Sequence, residues 1–211
     1  MARQIRAACE HFAAGHLYIL DVGGDILTTG SDPGLRSPLA DQLALAAAAG
    51  SGVPSSVLLA GAGLDGEIEA SVLEERISQL DGHVLAPLGQ ADVAPTRSVF
   101  RWHPSEASGI FSAAAAGLRG RVQVRDAGDI LAMTDRTADV YQLSLEAMMG
   151  FTPAAKLVNT NSLAEAEATT HELTGLSEIT YEQRKSPVEK TSRHPSTRPW
   201  TSWQTWIARQ Q

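Results

Sequence analysis

Four acidic residues occupy two short glycine-rich stretches near the start of the chain. Asp21 and Asp25 lie in LDVGGDIL, and Asp65 and Glu67 lie in AGAGLDGEIE. Carboxylates beside bare backbone N–H groups can hold a hard cation such as Mg²⁺ or Mn²⁺, or the hydroxyls and amines of a polar ligand. Carboxylates crowded together raise at least one pKa among them, which supplies an acid or a base. On this reading Asp21, Asp25 and Asp65 are candidate catalytic groups, and Asp25, Asp65 and Glu67 are candidate ligands of a divalent cation. Gly23, Gly24, Gly63 and Gly66 would let the backbone approach a substrate. Arg36, Ser37 and Asp41, around the start of the following helix, and Glu106 further on complete the candidate substrate-binding set. His103 and Glu106 could form an acid/base pair.

The same residues have ordinary roles to set against these. Asp-Gly clusters make turns, with Asp bonding its own backbone. Asp41 in a first helical turn favours the helix dipole. Arg36 could be a solvated loop arginine, and a histidine beside a helix start is often only a polar boundary residue. No phosphate-loop lysine follows the first stretch and no complete G-x-G-x-x-G is present, so neither nucleotide fingerprint is met. Ser108 has no G-x-S-x-G around it.

Elements must place these groups. The apolar run 17–20 and the run 57–60 suit strands covered on both faces, each ending in a glycine–acid loop and leading to a helix. That βαβα pattern predicts a parallel sheet with both loops at neighbouring carboxyl ends, where open α/β sheets bind ligands. Ser37-Pro38 opens the first of these helices, with serine as cap and proline at its first position. The second spans 68–80, with Ile68, Val72, Leu73, Ile77 and Leu80 as its buried stripe. An amphipathic helix over 3–14 precedes them, with Ile5, Ala8, Cys9 and Phe12 on one face and Cys9 as a core residue. Further along, the pattern predicts helices over 97–102, 105–118 and 162–173. It also predicts a hairpin-like turn at 126–129 between the runs 122–124 and 130–133, a strand over 140–145 and a last strand holding Ile179 and Tyr181. The fold expected is α/β: a three-layer, mostly parallel Rossmann-like sheet with helices on both faces.

Composition bounds the rest. The chain has 211 residues, 43% hydrophobic, with formal net charge −7. That balance disfavours nucleic acid as a partner. A single cysteine, Cys9, excludes an intrachain disulfide and fits a cytoplasmic setting. No run approaches the roughly 20 apolar residues of a membrane span. The charge is uneven: residues 183–211 hold six Lys/Arg and one Asp/Glu, against 11 and 23 in 1–182. We therefore expect one α/β domain over 1–182 and a basic Pro/Ser/Thr/Trp-rich tail over 183–211. Trp200, Trp203 and Trp206 would dock that tail on the body, on a second copy in a homodimer, or on another protein.

LDVGGDIL, LRSPLADQLALAAA and AGAGLDGEIEASVL together resemble an uncharacterised prokaryotic family, the domain of unknown function 1152, as does PSEAS at 104–108. The resemblance covers roughly residues 8–183 and implies a fold without implying a reaction. Members of that family are usually longer, with a glycine-rich segment ahead of the point where this chain starts. Were that segment part of the site, the resemblance implies an inactive chain or one completed by a partner. Over one short motif, DVGGDIL is also similar to the GDGGNE-type loop of D-glutamate cyclases, which implies lyase-like chemistry on a small amino acid. The expected function is binding of a small polar metabolite in an acidic, glycine-rich crevice, with catalysis and a divalent cation as options. The alternative is a non-catalytic binding, assembly or regulatory protein that keeps the fold.

Overall fold

The computed structural model describes residues 1–185 except Ala86, His103, Pro104, Arg125, Asp126, Ala127 and Asp129. The expectations for His103, for most of the turn at 126–129 and for Trp200, Trp203 and Trp206 lie outside the described residues. In chain order the elements are α1 (Ala2–His11), β1 (Leu17–Val22), α2 (Pro38–Ser51), β2 (Ser55–Ala60), α3 (Ala70–Gln79), β3 (His83–Val84), α4 (Gln90–Val93), α5 (Glu106–Ala115), β4 (Gly120–Gln123), β5 (Ile130–Met133), β6 (Val140–Ser144), α6 (Leu145–Phe151), α7 (Leu163–Thr174) and α8 (Glu178–Lys185). Short 3-10 turns occupy Asp25–Leu27, Ala94–Arg101, Asp135–Ala138 and Pro153–Leu157.

The fold is mixed α/β around a four-stranded sheet of order β1-β2-β6-β3. β1 and β2 are parallel neighbours, in register from Leu17 opposite Ser55 to Val22 opposite Ala60. β6 runs antiparallel to both β2 and β3. Three strands therefore share one direction, but only one of the three hydrogen-bonded pairs is parallel, which corrects the expected mostly parallel pairing. The reason is the route of the chain. After β3 it passes through α4, α5 and the separate β4–β5 hairpin, then enters β6 with Val140 beside Ala60, at the carboxyl end of β2. It can only run back from there. A two-residue β3 finishes the sheet.

Successive residues of a strand face opposite sides, and each side has its own core. Ile19, Val57, Leu59, Tyr141 and Leu143 pack with Ile26, Leu27, Leu45, Leu73, Ile77 and Met148. Val22, Leu58, Ala60 and Val140 pack with Ile110, Phe111 and Ala114 of α5 and with Val124 and Met133. The second layer stops short. On edge strand β1, Tyr18 is 56% and Leu20 63% exposed.

Several expectations change in detail. α1 ends at His11 and buries no residue fully; Cys9 is half-buried and Phe12 exposed. A face that only one neighbouring helix covers cannot be a core face, and α1 packs chiefly on α2. α3 starts at Ala70, after Glu69, and buries Leu73 and Ile77. The segment expected as a helix over 97–102 is a 3-10 turn, Ala94–Arg101, with Pro95 near its start. Ile179 and Tyr181 lie in helix α8, because the Ser177 hydroxyl caps the turn by accepting from Thr180 N–H at 3.2 Å. Ser105 caps α5 as expected, accepting from Ser108 N–H at 3.3 Å. The runs at 122–124 and 130–133 do pair, as antiparallel β4 and β5. Among the described residues no helix is long and apolar enough to cross a membrane.

Candidate functional site

The parallel ladder continues beyond β1 and β2 and joins their two loops. Gly23 N–H donates to Ala60 C=O at 3.1 Å, and Gly63 N–H donates to Gly23 C=O at 2.6 Å. Gly23 and Gly24 have φ of +138° and +116°, a region that favours glycine. Space requires glycine there as well. A Cβ at Gly23 would lie 2.2 Å from Asp65 Oδ2, and one at Gly24 would lie 2.4 Å from Leu73 Cδ1. The glycine pair thus lets Asp65 rest directly on the backbone of the first loop. Gly63 and Gly66 also have positive φ and shape the second loop.

Asp65 and Glu67 are held by backbone and serve as struts. Asp65 Oδ1 accepts from Glu67 N–H at 2.8 Å, and Oδ2 accepts from Asp25 N–H at 3.3 Å. Glu67 Oε2 accepts from the N–H groups of Arg36 and Ser37 at 2.7 and 3.2 Å, while Oε1 accepts from Ser37 Oγ at 2.7 Å. Arg36 donates through Nη2 to Asp65 C=O at 2.9 Å and sets Nε 3.5 Å from Glu67 Oε1. Arg36 therefore clips the two loops together and is no free loop arginine. Ser37 also reaches Asp25 Oδ2 at 3.3 Å.

The start of α2 differs from the expectation in its cap. Ser37 occupies the N-cap position, yet its side chain makes no capping bond, being committed to Glu67 and Asp25. The cap comes from Glu178 on α8. Its Oε2 accepts from Leu39 N–H at 2.6 Å and from Ala40 N–H at 3.1 Å. Nothing local in the sequence marks this pairing, 139 residues apart. The expected last strand pointed away from it. Gln42, also missed, is buried one turn later and donates to Ile26 C=O at 3.2 Å, fixing the 3-10 turn that carries Asp25.

Asp21, Asp25 and Asp41 converge: each offers a carboxylate oxygen, and the three lie within 4.8 Å of one another. Asp21 and Asp25 are each only 8% exposed, so they stand inside the protein and do not line an open crevice. Asp41 and Asp65 are half-buried and form the approach. Of the expected cation ligands Asp25, Asp65 and Glu67, only Asp25 belongs to the converging trio. Glu106 sits in the first turn of α5, which packs in the other layer, and it is not among the principal charges that any trio member feels.

Crowding and burial show in the acidities. Burial first, then the charge of Asp41, push Asp21 and Asp25 well above the usual carboxylate range. Asp41 is raised to about 6 by burial, opposed by a hydrogen bond with Asp25 and reinforced by the charge of Glu178. Asp65 is also raised to about 6 by burial, opposed by the Glu67 N–H bond. Burial raises Glu178 against its two backbone bonds. The nest can therefore keep one or more carboxyls protonated near neutral pH while others are ionised. A separate cavity of about 420 Å³, lined by Arg6, Cys9, Pro54 and neighbours, lies between α1 and the end of α2 and contains none of these acids.

No curated protein and no solved structure matches the chain. A family model described as "Protein of unknown function (DUF1152)" matches residues 1–186. The motifs at Asp21, Ser37 and Asp65 that build the acidic nest all fall within that match, and the chain belongs to this family.

Proposed function

We propose that this protein binds a small polar metabolite at the nest formed by Asp21, Asp25, Asp41 and Asp65, and that it acts on that metabolite as an acid/base enzyme. One observation carries the reading: Asp41 and Asp65, half-buried and raised to about 6, lie beside two buried carboxyls at the exits of a parallel strand pair. Carboxyls of this acidity can give or take a proton at neutral pH, and neighbouring groups with separated pKa values divide the acid and base roles. The surroundings select the ligand. The carboxyls of Asp21, Asp25, Asp41, Asp65, Glu67 and Glu178 gather here, and Arg36, which pairs with Glu67, is already bonded to the loops. Hydroxyl and amino groups of a ligand would find acceptors there, whereas a bare anion would be repelled.

The reading includes a Rossmann-like, three-layer frame. The β1–α2–β2 unit and the two cores on opposite sides of the sheet support it. The test is a thermal-shift panel of polyols, sugars, amino acids and amines, in EDTA, on the wild type and on Asp65→Asn. A stabilising ligand whose effect Asp65→Asn abolishes supports the site. A ligand whose effect is the same in both removes it from the nest.

A second reading, a binding or assembly protein without catalysis, is favoured by edge strand β1, where Tyr18 and Leu20 are exposed on one face. Exposed apolar edge strands are ready sites of association. The tryptophans Trp200, Trp203 and Trp206 would add contact area to a homodimer or a protein partner. Light scattering of the wild type and of Leu20→Lys separates the two: a dimer that the substitution dissociates supports assembly, and a wild-type monomer at all concentrations excludes a homodimer through this edge.

A further inference from the structure

We infer that Asp21, Asp25 and Asp41 form a binding site for one divalent cation of the Mg²⁺ and Mn²⁺ class, an inference that rests on the nest described above and gives it a cofactor. Two ligands of one ion are separated by at most twice the metal–oxygen distance, about 4.2 Å for Mg²⁺ and about 5 Å for Ca²⁺. Adjacent ligands of an octahedral Mg²⁺ lie about 3 Å apart, so the trio's oxygens, all within 4.8 Å of one another, need a movement of on the order of 1–2 Å at most to share the smaller ion. Asp41 can supply it, being half-buried on the first turn of α2. Three carboxylates leave about three positions of an octahedron for water or a ligand, the usual condition of a Mg²⁺ that meets its substrate. All-oxygen donors without thiolate or imidazole favour these hard ions over zinc or copper.

An independent observation points to the cation. Asp21 Oδ2 is buried and accepts no hydrogen bond from any described residue. An unpaired carboxylate oxygen away from water is costly, and buried charges are ordinarily paired or bound to metal. Arg36 does not supply the partner: it donates to Asp65 C=O and pairs with Glu67. Ser37 Oγ reaches Asp25 but not Asp21. The outer supports of such a site are in place as well. Asp65 holds the backbone of Asp25, Glu67 holds Ser37, and Gln42 holds the turn between them. Orienting bonds of this kind are what metal ligands require around them. The same geometry explains why Asp65 and Glu67 stay outside the ion's shell: both oxygens of each are occupied by N–H or hydroxyl donors.

The competing occupant is a proton shared between Asp25 and Asp41. Metal alone distinguishes the two. The full chain, stripped with EDTA and dialysed, is titrated with MnCl₂, MgCl₂ or CaCl₂ in the absence of metabolites. Mn²⁺ uptake is read by electron paramagnetic resonance and thermal stability by circular dichroism. One equivalent of Mn²⁺ should be bound, with a saturable rise in Tm that Mg²⁺ reproduces. Asp21→Asn and Asp41→Asn should each weaken Mn²⁺ binding by more than the roughly 10–100-fold that loss of an outer partner costs. Asp135→Asn, whose carboxylate lies on the surface beside Arg119, should bind like the wild type. Absence of Mn²⁺ uptake at millimolar metal overturns the inference, as does uptake unchanged in both variants. If Asp21→Asn fails to fold, Asp41→Asn decides. Because the titration contains no metabolite and the metabolite panel contains EDTA, either proposal can fail while the other stands.

Discussion

Substituting Asp41 by Asn should stabilise the metal-free protein at pH 7.5 and remove part of its pH dependence. A carboxyl raised from 3.8 to about 6 by folding is more easily ionised in the unfolded chain. Between those values the folded state holds more protons than the unfolded state, so stability falls as pH rises. The contribution is fully favourable below about pH 4, where both states are protonated, and is lost once pH passes about 6. One pKa unit corresponds to about 1.36 kcal/mol, so the group contributes a penalty of roughly 3 kcal/mol at pH 7.5. Asn removes that penalty and also the largest charge acting on Asp21 and Asp25. Against it stands the loss of a favourable charge at the start of α2, about 0.3–1 kcal/mol. Burial wins, and the expected net gain is about 1–3 kcal/mol. Urea unfolding followed by circular dichroism at pH 4.5, 6.0 and 7.5 in EDTA measures it. The wild type should lose stability across this range, and the variant should lose less. A variant less stable than the wild type at pH 7.5, or a pair of parallel pH profiles, would refute the argument that burial and crowding govern this nest.

Gly23→Ala places a Cβ 2.2 Å from Asp65 Oδ2 at a φ of +138°, so it should cost at least about 1–3 kcal/mol in urea unfolding; a neutral result would mean that the loops are not in contact. Glu67→Ala leaves the N–H groups of Arg36 and Ser37 without their acceptor and the Ser37 hydroxyl with only its longer bond to Asp25. Its cost should be roughly 3 kcal/mol, read from the same denaturation curves. Glu178→Ala removes the distant cap of α2 and should lower stability by about 0.5–2 kcal/mol. Hydrogen exchange should then show lost protection in both α8 and the first turn of α2; loss in α8 alone would show that the cap is dispensable.

Much of this site could be read from local residue order. Apolar runs ending in Gly-Gly-Asp and Gly-Leu-Asp-Gly-Glu identify β1, β2 and their loops, because strand burial and turn chemistry depend on a few consecutive residues. Their adjacency follows from one helical connection, and β1 and β2 do pair in parallel. The tight approach of Asp65 to Gly23 is consistent with the glycine pattern. The family's motifs are also a property of the linear string, and the match over residues 1–186 rests on it.

What the linear string did not determine is how the acids divide their labour. Asp65 and Glu67 look like Asp21 and Asp25 in sequence. Only the fold gives the first pair backbone or hydroxyl donors for every oxygen and leaves Asp21 Oδ2 with none. Asp41 reads as a helix-dipole residue and becomes the third member of the trio because α2 packs its first turn over the end of β1. Glu178 replaces Ser37 as the cap because α8 returns across the whole domain, a contact between residues with no local relation. The reversal of β6 has the same origin: it depends on where a long connection ends, not on the strand's own residues. Burial, charge coupling and long-range pairing are properties of distances in space, and residue order constrains those distances only after the chain has closed on itself.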